Sequence, residues 1–393
     1  MWQTIRLGDV CTISSSKRIL AKEYQTEGIT FYRGKEVIEK PNGNKVSTEL
    51  FISPKRYEEI KGKSEVPKKG DILLTSVGTL GIPWLVDEDD FYFKDGNLTW
   101  LRCNTQILPS YLYLWLNSAE AQNQIDVKCI GSTQKALTIE TLNKFQITLP
   151  SLELQKKIVA VINPIESRIN INRSVNENLE QQAQAIFANE FLALESLPDG
   201  WKRGSLIDIA DYLNGLAMQK YRPAADEVGI PVLKIKELRQ GCCDDTSEVC
   251  SPNIKTNYII HDGDVIFSWS GSLLVDFWCG GICGLNQHLF KVTSSVYDKW
   301  FYYAWTKHHL ERFIAVAADK ATTMGHIKRD ELSKAEVLIP NKADYNRIGS
   351  LLHPIYDLII TNRIESKKLA ETRDTLLPKL MSGEIDISEV DYE

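Results

Sequence analysis

The chain has 393 residues, 43% hydrophobic and 25% charged, which suits two or three soluble domains with proper cores. Wholesale disorder, collagen and a small disulfide scaffold are excluded. With 46 Lys and Arg against 52 Asp and Glu, the net charge of −6 rules out a uniformly basic coat for nucleic acid but leaves room for local patches. The opening Met1-Trp2-Gln3-Thr4-Ile5-Arg6 is no apolar run, so no signal peptide is expected. Eight irregularly spaced cysteines then read as reduced thiols of a cytoplasmic protein.

In chain order, residues 1–150 read as short β-branched and aromatic strands broken by Gly, Pro and Asn, with a helical stretch near Tyr111–Gln124. Residues 151–200 read as a long helix and linker. Residues 201–340 restate the first unit, with a helical stretch at Lys299–Ala317, and residues 341–393 restate the helix and add a tail. The most apolar window, Val265–Leu285, carries Asp276 and many turn residues, so it reads as buried strands and not as a membrane span.

The repeat is visible residue by residue. Trp2, Leu7 and Asp9 recur as Trp201, Leu206 and Asp208, and Gly70-Asp71-Ile72 recurs as Gly263-Asp264-Val265. Past Thr133, matched by Thr323, the offset locks. The first helix then places Ile158, Ile162, Ile165, Ile169, Asn172, Asn176 and Leu179 in alternating steps of four and three. The second repeats the steps with Ile348, Leu352, Ile355, Ile359, Asn362, Ser366 and Leu369. Such alternation makes a seam for a partner helix, and the Asn interruptions fix its register. Antiparallel pairing would set the globular units at opposite ends of a spacer of about 50 Å. Pro164 and Pro354 should bend or interrupt each helix near its start.

Charge follows the same division. The two globular units are near neutral, at net +1 and −1, and the two helical segments are each at −3. No catalytic constellation is found. Gly28 to Lys35 has the wrong spacing for a phosphate loop, and no Gly-x-Gly loop or Pro-Pro pocket suits S-adenosylmethionine. The cysteines near His261 and His288 lack tight metal-binding pairs, and the first unit has no equivalents, so no metal is expected. His288 reads more as a hydrogen-bonded core histidine than as a ligand-contacting one.

Two variable globular units, each followed by a near-identical long helix, resemble the specificity (S, HsdS-like) subunit of type I restriction-modification systems. The resemblance rests on the doubled Trp-x4-Leu-x-Asp opening, the Gly-Asp-Ile/Val strands and Leu285-Asn286-Gln287-His288-Leu289. It rests further on Gly131-Ser132-Thr133-Gln134-Lys135 leading to Pro150, and on the closing Leu376-Leu377-Pro378-Lys379-Leu380-Met381-Ser382-Gly383-Glu384-Ile385. It implies an α+β (mixed α/β) fold with target-recognition domains at 1–150 and 201–340. Two long helices, in segments 151–200 and 341–393, would pair between them as an antiparallel coiled coil.

The resemblance also implies a non-catalytic reader of double-stranded DNA. Each domain would read half of a bipartite asymmetric site in the service of phage defence. The helices would set the gap and dock two methyltransferase (M) subunits, and a restriction-translocase (R) subunit would join. No cofactor is expected in this chain, and S-adenosylmethionine, ATP and Mg would belong to the partners. Two readers a helical turn apart, about 34 Å, fit the spacer.

Because Arg and Lys read guanine, Asn and Gln read adenine, and Ser, Thr and Lys hold phosphates, matched loop positions are the candidate contacts. In the first unit these are Lys17, Arg18, Arg33, Lys35, Ser76, Thr79, Ser132, Thr133, Gln134 and Lys135. In the second they are Lys220, Arg222, Lys234, Lys236, Ser270, Ser272, Asn286, Gln287, Lys320, Thr322 and Thr323. The competing readings are a duplicated protein-interaction scaffold without sequence preference and a self-contained enzyme.

Overall fold

The computed structural model of the chain describes residues 2–40, 46, 48–88, 90–129, 136–319 and 329–390. It divides into two compact units, Met1–Ile171 with Leu369–Glu393, and Asn172–Lys368. Each unit joins one globular repeat to parts of both long helices.

In the first unit, Gln3–Arg6 pairs antiparallel with Gln146–Leu149, closing the repeat on itself. One sheet runs in the order Cys11–Ser14, Leu98–Cys103, Ile72–Thr75, Pro83–Leu85, all antiparallel. The other runs Tyr24–Gln25, Phe51–Ile52, Ile29–Tyr32, Phe91–Phe93, and its last pair is parallel. The strand Ile72–Thr75 is buried on both faces, and its pleat splits it between two cores. Ile72 and Leu74 join Leu7, Tyr111, Trp115 and Phe145 under the helices, whereas Leu73 joins Tyr32, Trp84, Phe93 and Trp100.

The second unit repeats the plan. Lys202–Ser205 pairs with Glu336–Ile339, and the antiparallel sheet runs Asp211–Asn214, Leu289–Thr293, Val265–Ser268, Leu274–Phe277. Its mixed sheet pairs Ile230–Leu233 in parallel with Cys283–Leu285. Val265 and Phe267 face the large aromatic core and Ile266 the smaller one, the same alternation as in the first copy. A buried-edge contact has been rewritten between the copies. Asp71 accepts from the Trp100 indole at 2.9 Å, and at the matching place Asp264 pairs with Lys291 at 2.7 Å.

The single helical stretch expected in each unit is two helices. Pro109–Leu116 and Ala119–Lys128 are separated at Asn117-Ser118, where the Ser118 hydroxyl accepts from the Ala121 amide and starts a new helix. Lys299–His308 and Leu310–Asp319 break at His309.

The long helices span Leu152–Phe187 and Lys342–Ser382, and neither is interrupted at its proline. Pro164 and Pro354 lie on exposed faces, as do Ala160 and Ser350, whose carbonyls each ring frees, so water can satisfy those groups.

In the first unit, Ile158 and Ile162 are buried with Leu377, Leu380 and Met381, and Glu166 pairs with Arg373 at 2.9 Å. The Gly383 turn has φ +78°, and the Trp2 indole lies 2.6 Å from where a Cβ would stand, which requires glycine there. In the second unit, Glu180 pairs with Arg363 and Glu190 with Arg347, so residue numbers rise along one helix as they fall along the other. The pairing is antiparallel.

The seam positions sort by depth. Ile158, Ile162, Ile169, Asn172, Asn176, Ile348, Leu352, Ile359 and Asn362 are buried, while Ile165, Leu179, Ile355 and Leu369 are half-buried. Ile348 and Leu352 sit in one core with Trp300 and Tyr345, so the seam serves the globular fold as well as the partner helix. Among the described residues, no helix is long and apolar enough to cross a membrane.

Candidate nucleic-acid interface

In each unit a three-part corner is tied together by main-chain hydrogen bonds. In the first unit, the Lys94 amide donates to the Tyr32 carbonyl at 2.8 Å, and the Ser76 amide donates to the Asn97 carbonyl at 2.9 Å. This joins the start of the helix Gly34–Glu39, the turn after Ile72–Thr75 and the loop after Phe91–Phe93. In the second unit, Asn286 donates to the Leu233 carbonyl at 3.2 Å and Trp269 to the His288 carbonyl at 3.4 Å. The bonds are equivalent, so two diverged sequences build one corner.

The helix that opens each corner is capped from within. Glu36 is fully buried and accepts from both the Arg33 amide, at 2.9 Å, and the Arg33 guanidinium, at 2.6 Å. Burial pushes the Glu36 carboxyl up, but the hydrogen bonds from Arg33 outweigh it and hold the group below its ordinary value. Arg33 is raised in turn, chiefly by its hydrogen bond to Glu36. The second copy keeps the device with buried Glu237 accepting from the Lys234 amide at 3.2 Å. The Lys234 ammonium reaches Glu248 at 2.6 Å, beside Arg222 at 3.5 Å, and that hydrogen bond keeps Glu248 low.

The first corner encloses a cleft of about 470 Å³ lined by Arg33, Lys35, Glu39, Thr75, Lys94 and Asn97. Lys35 is exposed, with Glu39 at 3.7 Å. Arg18 is brought alongside by its ion pair to Asp95 at 3.0 Å, and the Lys17 amide donates to the Tyr92 hydroxyl. Thr79 is exposed at the tip of the turn. Ser76 faces inward, buried, and its hydroxyl accepts from Thr99 at 3.0 Å.

In the second corner, Lys236 engages Asp244 and Thr246, and Lys220 is exposed at the end of a short turn. Ser270 is buried with its hydroxyl 3.0 Å from His288 Nδ1, and the Ser272 carbonyl accepts from Ser268. Asn286 is also buried, while Gln287 and His288 are half-exposed. Ser132, Thr133, Gln134, Lys135, Lys320, Thr322 and Thr323 lie outside the described residues. Ala136, which follows the first group, bridges Val77 in the corner turn, and the Leu137 amide donates to the Ser76 carbonyl.

Lys94 and Asn97 were not among the sequence candidates, and Trp269 was not either. The signal for Lys94 and Asn97 was a turn, Lys94-Asp95-Gly96-Asn97, directly after an aromatic strand. Its match to Asn286–His288 is hidden by a one-residue difference in length and by Phe-Tyr-Phe standing where the other copy has Cys-Gly-Leu.

All eight cysteines are free thiols, and among the described residues no group of three or more His, Cys, Asp or Glu could hold a metal ion. Burial, together with the neighbouring Cys243, pushes Cys283 upward; the Cys243 thiol, hydrogen-bonded to Cys283, is lowered.

The family model described as type I restriction modification DNA specificity domain matches this chain twice, over residues 1–181 and 198–371. The MjaIX type I restriction enzyme specificity subunit of Methanocaldococcus jannaschii is 26% identical over 355 residues, covering 82% of this chain and 79% of that protein. The HindI specificity subunit of Haemophilus influenzae is 21% identical over 402 residues, covering 81% and 87%. Among solved structures, the type I restriction-modification S subunit from M. genitalium shares the fold at a TM-score of 0.55 and 14% identity, over 97% of this chain and 96% of that one.

Proposed function

The chain belongs to the type I restriction-modification DNA specificity family, and from that premise we propose that it is the non-catalytic reading subunit of such a system. Each globular unit reads one half of a bipartite, asymmetric DNA site through its hydrogen-bonded corner. The paired helices set the unread gap and dock two methyltransferase subunits, and a restriction subunit joins that assembly. S-adenosylmethionine, ATP and Mg belong to those partners in this reading, as does the cytoplasmic location the assembly works in.

The observation that carries the proposal is the doubling itself. One backbone corner is built twice with the same main-chain bonds and different side chains, which is what a reader of two different half-sites needs. Arg, Lys, Asn, Ser and Thr populate the first corner, and Lys, Asn, Gln and Ser the second. The duplicated-scaffold alternative has no feature of its own to support it.

The test is to map methylated adenines genome-wide in cells carrying this gene with its methyltransferase partner, and again after deleting the gene. A bipartite asymmetric motif that disappears on deletion is the expected result. Absence of any such motif alongside an active methyltransferase would overturn the reading.

A further inference from the structure

We propose that Gln287 is the base-contacting residue of the second unit, reading one adenine edge in the major groove, with His288, Ser270 and Asn286 as positioning residues behind it. This inference rests on the DNA-reading function proposed above and goes further by assigning roles within one corner.

The order of burial gives the direction of the argument. Asn286 is 7% exposed and spends its side chain inside the loop, accepting from the His288 amide at 3.2 Å. Its backbone is fixed on both sides, donating to the Leu233 carbonyl and accepting from the Leu289 amide at 3.0 Å. Ser270 is 2% exposed, and its hydroxyl lies 3.0 Å from His288 Nδ1. The Trp269 ring packs at 6.2 Å from the imidazole and is itself anchored by its indole N–H on Asn214 at 2.9 Å. The histidine is therefore clamped from the buried side, through one ring nitrogen and one face.

What that leaves outward is chemically specific. With Nδ1 engaged by Ser270, the second ring nitrogen is the polar atom directed away from the buried serine, and it sits 3.4 Å from the Gln287 amide nitrogen. Either orientation of that amide leaves Gln287 one donor and one acceptor to present. That donor and acceptor match N7 and the exocyclic amine of adenine, which stand side by side in the major groove, whereas guanine offers two acceptors there. A histidine serving only the core would be the buried member of its pair; here the serine is buried and the histidine half-exposed.

The first unit has nothing comparable at this place. Its loop is Lys94-Asp95-Gly96-Asn97, with Asp95 held by Arg18, and all six histidines of the chain lie in the second half. The pair can thus shape only the half-site read by the second unit.

The experiment uses the full chain assembled with its methyltransferase subunits, with methylation motifs mapped for the parent and for Gln287→Ala, His288→Ala and Ser270→Ala. Each variant is expected to leave the half-site of the first unit intact. One position of the other half-site should become degenerate, with discrimination there falling about tenfold or more for Gln287→Ala and His288→Ala. Ser270→Ala should loosen the same position to a smaller degree, which a merely structural serine would not do. Unchanged motifs, degeneracy in the half-site read by the first unit, or loss of all methylation in every variant would overturn the pairing. Failure of the parent to yield a bipartite motif would instead overturn the proposed function.

Discussion

Asn362 donates from Nδ2 to Asn176 Oδ1 at 2.9 Å, joining two buried amides on the two long helices within the second unit. The bond belongs to a short polar ladder. Asn176 donates to the Ile359 carbonyl at 3.2 Å, and Asn172 Nδ2 lies 2.6 Å from a Glu365 carboxylate oxygen. Buried amides stabilise a helix seam little but penalise every register in which they lose their partners.

Asn362→Leu should therefore destabilise the chain by about 1–3 kcal/mol, because the Asn176 amide oxygen is left buried without its donor. Replacing both residues by leucine should recover much of the loss. Urea unfolding of the single and double variants is the check, and a single variant as stable as the parent would refute it.

Pro164 and Pro354 lie inside continuous helices on exposed faces. Proline is about 3 kcal/mol worse than alanine in a helix interior. Pro164→Ala and Pro354→Ala should each stabilise by about 1–3 kcal/mol, read as a rise in melting temperature. A fall would mean that the prolines are required by the packing.

The Glu36 carboxyl is held below its unfolded value. Its contribution is present in full above the unfolded value of about 4.3 and is lost as pH falls through the lowered folded value. Glu36→Gln should flatten the acid limb of stability against pH below about 4 and, at neutral pH, cost about 1 kcal/mol through the weakened cap. An acid limb identical to that of the parent would contradict this.

Lys35 and Lys94 line the first corner's cleft. If they neutralise phosphates, Lys35→Ala and Lys94→Ala should weaken DNA binding by the assembled complex about equally on all sequences. Each should also shallow the dependence of log affinity on log salt by about 1. Anisotropy titrations at several salt concentrations measure the slope, and an unchanged slope removes the residue from the interface.

Much of this was readable along the chain because it is local or periodic. The seam from Ile158 to Leu179 and its copy from Ile348 to Leu369 follow from the helical period, whereas the break at Ser118, a local cap, was passed over in a stretch that reads as one helix. The closing Leu377, Leu380 and Met381 were visible as a motif. Their destination was not, because they complete the core around Tyr111 and Trp115, far away in sequence.

The candidate contacts divide for the same reason. The sequence by itself determined the duplication, the kinds of element, the pairing seams and the polar residue types available in each copy. Only the tertiary structure decided which of those polar groups turn outward. Ser76 is drawn inside by Thr99, Ser270 is buried behind half-exposed His288, Arg33 is held by buried Glu36, and Lys94 and Asn97 enter the corner through bonds to Tyr32 and Ser76. Each of these outcomes is set by a partner. Some partners are near in the chain, and others arrive only when the strands of two sheets have met. A side chain's burial and hydrogen bonding depend on that meeting, whereas its periodicity does not.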